Sequence, residues 1–73
     1  MTPAQCRAAR ALIDMTQAEL AGAAIVPPTL VADYEAGSVT PRAADVEALR
    51  RALERAGVEF IDGDQAGVRL RKG

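Results

Sequence analysis

Histidine and tryptophan are absent from this 73-residue chain, which has one cysteine, one tyrosine and one phenylalanine. Each scarcity removes a class of function. Without histidine there is no side chain that ordinarily titrates near neutral pH to serve as a general base. Cys6 stands alone, with no base for nucleophilic work and no second thiol for a disulfide. One thiolate without an imidazole cannot complete a tetrahedral zinc set. The composition therefore reads as a protein that is not an enzyme and carries no cofactor or metal. A long apolar run is also missing. In the opening stretch "MTPAQCRAARALIDM" two arginines interrupt the apolar residues, so it matches neither a secretory leader nor a membrane span, and a cytoplasmic location is expected. A chain of this length buries little core, and oligomerisation is the expected reinforcement.

What remains is rich in Ala, Leu, Arg and Glu, which favours helix. Thr2-Pro3-Ala4-Gln5 has the form of a capping box with proline at the first helical position. Cys6, Ala9, Ile13 and, less strictly, Arg10 then share one helical face. Thr16-Gln17-Ala18-Glu19 repeats the box and opens a second, short helix through about Ala23, with Leu20 and Ala24 facing inward. Pro27 and Pro28 set the start of a third helix, because Val26 and Pro27 are held extended and Pro28 suits a first helical turn. Val31 and Tyr34 give that helix its inner stripe, and Gly37 stops it. Thr40-Pro41 is read as opening a fourth helix that runs to about Ala56, with Val46, Leu49 and Leu53 inward and Arg50, Arg51, Glu54 and Arg55 mostly solvated. After Gly57 the period changes to two: Val58 and Phe60 share one face, Val68 and Leu70 another, around the turn-like "DGDQAG". The expected architecture is mainly α, four to five short helices over residues 1–57, followed by a β-hairpin and basic tail over 58–73.

One constellation carries a function. Gln17-Ala18-Glu19-Leu20-Ala21, followed by Val26, Val31, Tyr34-Glu35 and Gly37, resembles the helix-turn-helix core of the Cro/CI-type (XRE) repressor family. A small residue at Ala21 suits the close helix crossing, and Arg10 with Glu35 matches the family's pairing of a first-helix Arg with a Glu near the end of the third. The resemblance spans roughly residues 3–56. It implies that the third helix enters the major groove while the second crosses the sugar-phosphate backbone. On that basis Pro27, Pro28, Thr29, Ala32 and Asp33 would face the bases, Gln17 a phosphate, and Ser38, Thr40 and Arg42 further backbone sites.

The same stretch departs from the family. Ile25 occupies the turn position where the family prefers a left-handed glycine, a costly conformation for a β-branched residue, so a turn reshaped around residues 25–28 is expected. The groove face holds no Arg, Asn or Gln, hence no bidentate base reader. Thr29 offers one hydroxyl, and Asp33 would accept from a cytosine amino group while repelling phosphate. Charge is unhelpful too. Formal net charge is −1; residues 1–49 carry three basic against six acidic groups, and residues 50–73 six against four. Weak half-site reading makes a homodimer on an inverted repeat the expected arrangement, with Val58, Phe60, Val68 and Leu70 of the hairpin as the dimerisation element. The expected function is a small sequence-specific DNA-binding regulator, a repressor by occupancy. The alternative is a protein–protein module that keeps the fold with little DNA affinity of its own, acting with another regulatory protein.

Overall fold

A computed structural model describes residues 1–71; Lys72 and Gly73, the end of the expected basic tail, lie outside the described residues. The chain forms α1 (Pro3–Leu12), α2 (Gln17–Ala24), α3 (Pro28–Ala36), α4 (Ala43–Arg55) and then β1 (Val58–Ile61) and β2 (Gly67–Leu70). Both capping boxes close reciprocally. Thr2 Oγ1 accepts from the Gln5 amide at 3.1 Å while Gln5 Oε1 accepts from Thr2 N–H at 2.9 Å, and Thr16 and Glu19 do the same for α2. Such boxes satisfy donors that a helix start would otherwise leave without partners.

The proline pair acts as a start signal. Pro27 is extended (φ −62°, ψ 141°) as the N-cap and Pro28 is the first helical residue of α3. The fourth helix begins later than Thr40-Pro41: the chain remains non-helical through Arg42 (φ −63°, ψ 150°), and Ala43 is the first helical residue. Proline at 41 keeps Thr40 extended, and neither residue finds a capping partner there.

Ile25 overturns the expected reshaping of the turn. It adopts the left-handed conformation itself (φ 58°, ψ 52°) at the end of α2. The closing bond from Val26 N–H to Ala21 C=O, 3.0 Å, has its counterpart at the end of α3, where Ser38 N–H reaches Asp33 C=O at 3.0 Å across left-handed Gly37. The second helix thus ends in the geometry glycine usually supplies. The Ile25 side chain is 90% exposed, so it meets no wall that would force another backbone path.

Leu20, Leu49, Leu53, Val31, Val58 and Cys6 are the largest fully buried side chains, and they draw on all four helices and the hairpin. The hairpin is antiparallel, pairing Val58 with Leu70 and Phe60 with Val68. Its inner face lies on α1 and α4, with Val58 buried and Phe60 and Val68 packed against the core. Two contacts that the sequence pattern did not reveal hold it there. Gln5 Nε2, on a buried side chain, donates to the Ile61 carbonyl (3.1 Å) and the Gly67 carbonyl (3.0 Å), clasping both strands at the mouth of the loop. The Arg50 guanidinium, read from sequence as solvated, sits 5.4 Å from the centre of the Phe60 ring.

Two stability changes follow. Ile25→Gly should raise unfolding free energy by about 1 kcal/mol, since relief of the left-handed strain (~1–2 kcal/mol) exceeds the added chain entropy of glycine (~0.5–1 kcal/mol); urea midpoints of the two proteins measure it. Gln5→Ala should cost about 1–3 kcal/mol and accelerate amide exchange in the hairpin more than in α4, because it removes a cap and the clasp together.

Candidate nucleic-acid interface

The helix pair α2–α3 owes its geometry to what lies between the helices. Ala21 is buried at the crossing, and Leu20 and Val31 are wholly buried beside it. On α3 the inner side is Val31, Tyr34 and Glu35, which leaves Pro28, Thr29, Asp33 and Ala36 exposed on the outer side, with Ala32 intermediate. The Tyr34 hydroxyl donates to the Met1 carbonyl at 2.9 Å, so the chain start is tied to the same helix.

Glu35 is the polar centre of this arrangement. Its carboxylate is 3% exposed and receives Arg10 Nε on Oε2 and Arg10 Nη2 on Oε1, both at 2.7 Å. Gln17 Nε2 donates to Oε1 at 3.1 Å, and the Cys6 thiol to Oε2 at 3.2 Å. Arg10 also donates to the Met15 carbonyl at 2.9 Å, and Arg7 to the backbone carbonyl of Glu35. One acidic side chain therefore gathers α1, the α1–α2 turn, α2 and α3. Burial alone would raise its pKa, but hydrogen bonds from Arg10, Gln17 and Cys6, with the Arg10 charge, outweigh burial and hold it below the ordinary value. The Cys6 thiol is pushed up to about 12, first by burial and then by the hydrogen bond and charge of Glu35. A thiol held in its neutral form in the core is a poor nucleophile.

The expected contact residues are placed as follows. Gln17 opens α2, but its amide nitrogen is directed to Glu35, so one of its two N–H groups is already used. Pro27, Thr29, Asp33, Thr40 and Arg42 come together around a groove of about 400 Å³ between the first half of α3 and the α3–α4 loop. Pro28, Ala32, Ser38 and Gln17 lie outside that lining. Arg42, whose side chain is 83% exposed, donates to Asp45 through Nε (3.2 Å) and Nη2 (3.3 Å). The bonds to Asp45, and then its charge, raise the Arg42 pKa. An exposed pair of this kind holds its partners weakly, which leaves Arg42 able to swing to a phosphate.

Of the four hairpin residues expected to meet a second copy, Val58 is spent on the core and Phe60 and Val68 are half-buried against it, whereas Leu70 is 52% exposed. The outer hairpin face carries instead the Glu59–Arg69 ion pair at 2.9 Å and Ile61, 40% exposed. Local sequence signals show neither the bond from Arg7 to the Glu35 backbone nor the second tasks of Gln5, Cys6 and Gln17. Gln5 was visible only as a cap, since nothing local shows that residues 61 and 67 will meet it.

A family model described as a helix-turn-helix domain matches residues 4–60. That span takes in α1 from its second residue, the whole of α2, α3 and α4, and β1 up to Phe60. No curated protein matches the chain at a significant level.

Removing Glu35 should cost on the order of 3 kcal/mol as Glu35→Ala, because Arg10 loses its buried partner. The pH dependence has a definite sign. A carboxyl whose pKa is lowered by folding contributes fully above its unfolded value, here near 4.5, and that contribution is lost as pH falls through the lower folded value. Urea midpoints measured downward from pH 7 should therefore fall below about pH 4.5 in the parent, and the Glu35→Gln variant should lack that component. Cys6 should react with a thiol reagent at pH 8 only at the rate of global opening, so the labelling rate should rise with urea in step with unfolding.

Proposed function

The chain belongs to the helix-turn-helix domain family, and from that premise we propose that it is a small sequence-specific transcription regulator that binds an inverted repeat as a homodimer and represses by occupancy. The DNA-binding regulatory class follows from the family match over residues 4–60, which is the observation that carries the reading. Dimerisation, repression and the identity of the contacts are our proposal, supported by the geometry of α3 and by what its surface can and cannot do.

In this reading α3 enters the major groove with Pro27 and Pro28 leading, and Thr29 is the principal polar base contact. The free N–H groups at the start of α2 and the remaining N–H of Gln17 approach one phosphate. Ser38 and Thr40 approach the backbone beyond α3, and Arg42 releases Asp45 to meet a phosphate. A bidentate base contact provides about 1–3 kcal/mol of discrimination, and no Arg, Asn or Gln faces outward on α3 to make one. Two linked half-sites compensate for that weakness. The dimer in our proposal uses the hairpin, through its unpaired strand edges and the exposed side chains of Leu70 and Ile61. Ala32 and Asp33 complete the groove-facing set, with Asp33 accepting from a cytosine amino group.

Selection of fragmented DNA from the source genome by the purified chain, at about 0.1 M salt, tests the reading. An enriched inverted repeat with half-sites about one helical turn (~34 Å) apart is expected; no enrichment by folded protein would overturn it. On the recovered site, Thr29→Ala should reduce the gap between operator and mutant sites. Arg42→Ala should weaken all sequences alike and flatten the salt slope by about one unit. Light scattering after gel filtration at micromolar concentration should give a dimer, lost on Leu70→Glu.

A further inference from the structure

The outer side of α3 is poorly charged for phosphate and well charged for a polypeptide. Between α3 and the α3–α4 loop lies the groove of about 400 Å³, whose apolar lining is Pro27, Leu30, Val39 and Pro41. Asp33 stands at its edge on α3, its carboxylate with no hydrogen-bond or ion-pair partner among the described residues, and Asp45 also lines the groove, holding Arg42. The lining thus carries two carboxylates and one guanidinium, an excess of one negative charge beside an apolar floor. Val39 is 54% exposed and adds apolar surface to the groove lining. Val39 and Pro41 also border a second hollow, whose lining includes Met1, Tyr34 and Val46. The loop is therefore an apolar ridge shared by two hollows.

We propose that this ridge and groove form a docking site for a polypeptide segment that sets a Lys or Arg beside a large apolar side chain. The apolar side chain fills the groove over Leu30 and Val39, and the cation meets Asp33, the carboxylate without a partner. Charge complementarity favours a cationic side chain at Asp33, a position from which a phosphate, though not a base edge, is repelled. The segment covers Thr29, Thr40 and Arg42, so docking and DNA binding exclude each other; that last clause alone rests on the DNA-binding reading above. The groove is then the place where a second protein relieves or redirects the regulator.

A phage-displayed library of random dodecapeptides, panned on the full chain, tests the proposal. Enriched sequences should share a basic residue next to a large apolar one. As synthetic peptides they should bind the parent at least tenfold more tightly than Asp33→Asn or Val39→Ser, and equally to Asp62→Asn, an exposed acid on the hairpin loop. All three positions are exposed, so the fold survives the changes. No enriched sequence, an acidic consensus, or affinities indifferent to Asp33 and Val39 would each overturn docking. Failure of the peptide to displace selected DNA would overturn the exclusion while leaving docking intact. Peptides that bind as expected to a chain that selects no DNA would instead count against the regulator reading.

Discussion

A carboxylate enters the interior of so small a protein only when donors replace its water, and Glu35 has four hydrogen bonds for the purpose, two from Arg10 and one each from Gln17 and Cys6. The other relations in the helix pair depend on this one. Arg10 comes from α1, Gln17 opens α2, and Glu35 lies in the last turn of α3, so the three helices can satisfy the charge in one mutual orientation only. Apolar packing of Leu20, Ala21 and Val31 supplies area without much direction. The ion pair supplies direction. A buried pair adds little net stability against an apolar replacement; with Gln17 it ties α1, α2 and α3 to one carboxylate and so constrains their orientation.

That constraint has a cost on the outer surface. With Gln17 turned inward to Glu35, the start of α2 presents less to a phosphate, and α3 presents Thr29 and Asp33 where stronger readers would stand. The frame of a helix-turn-helix domain here carries small, apolar and acidic groups on the outer side of α3.

Much of the frame was legible in the sequence because its signals are local. Thr2 to Gln5, Thr16 to Glu19, the proline pair and Gly37 each act within four residues, and each marks a boundary within a residue of the observed one. The family resemblance, resting on residues 17–37 and on Arg10, agrees with the match over residues 4–60. Expectations strayed where a local rule met a tertiary one. Thr40-Pro41 resembles a helix start, yet nothing caps it and α4 waits until Ala43. Ile25 was expected to bend the turn away from left-handed geometry, but the crossing of α2 and α3 requires that geometry, and the residue yields. Phe60 and Arg50 are ten residues apart, and Gln5 lies far from its two acceptors, so no periodicity could link them. The groove at α3 was half legible: its α3 residues were identified, whereas Val39 and Pro41 became lining only once the loop had folded beside them.

The clasp made by Gln5 has a bearing on how the chain reaches its fold. Its bond to Gly67 spans 62 positions, nearly the whole length of the molecule. The same side chain completes the cap of the first helix, so the first turn of α1 and the closed end of the hairpin share one residue. Contacts within and between neighbouring helices close short loops at little entropic cost; this one closes a loop of 62 positions. Loop-closure entropy therefore favours assembly of the helix contacts around Glu35 before the last strand is fastened to the first turn. Fastening makes the two ends of the domain a single cooperative unit: neither can fray without loosening the other.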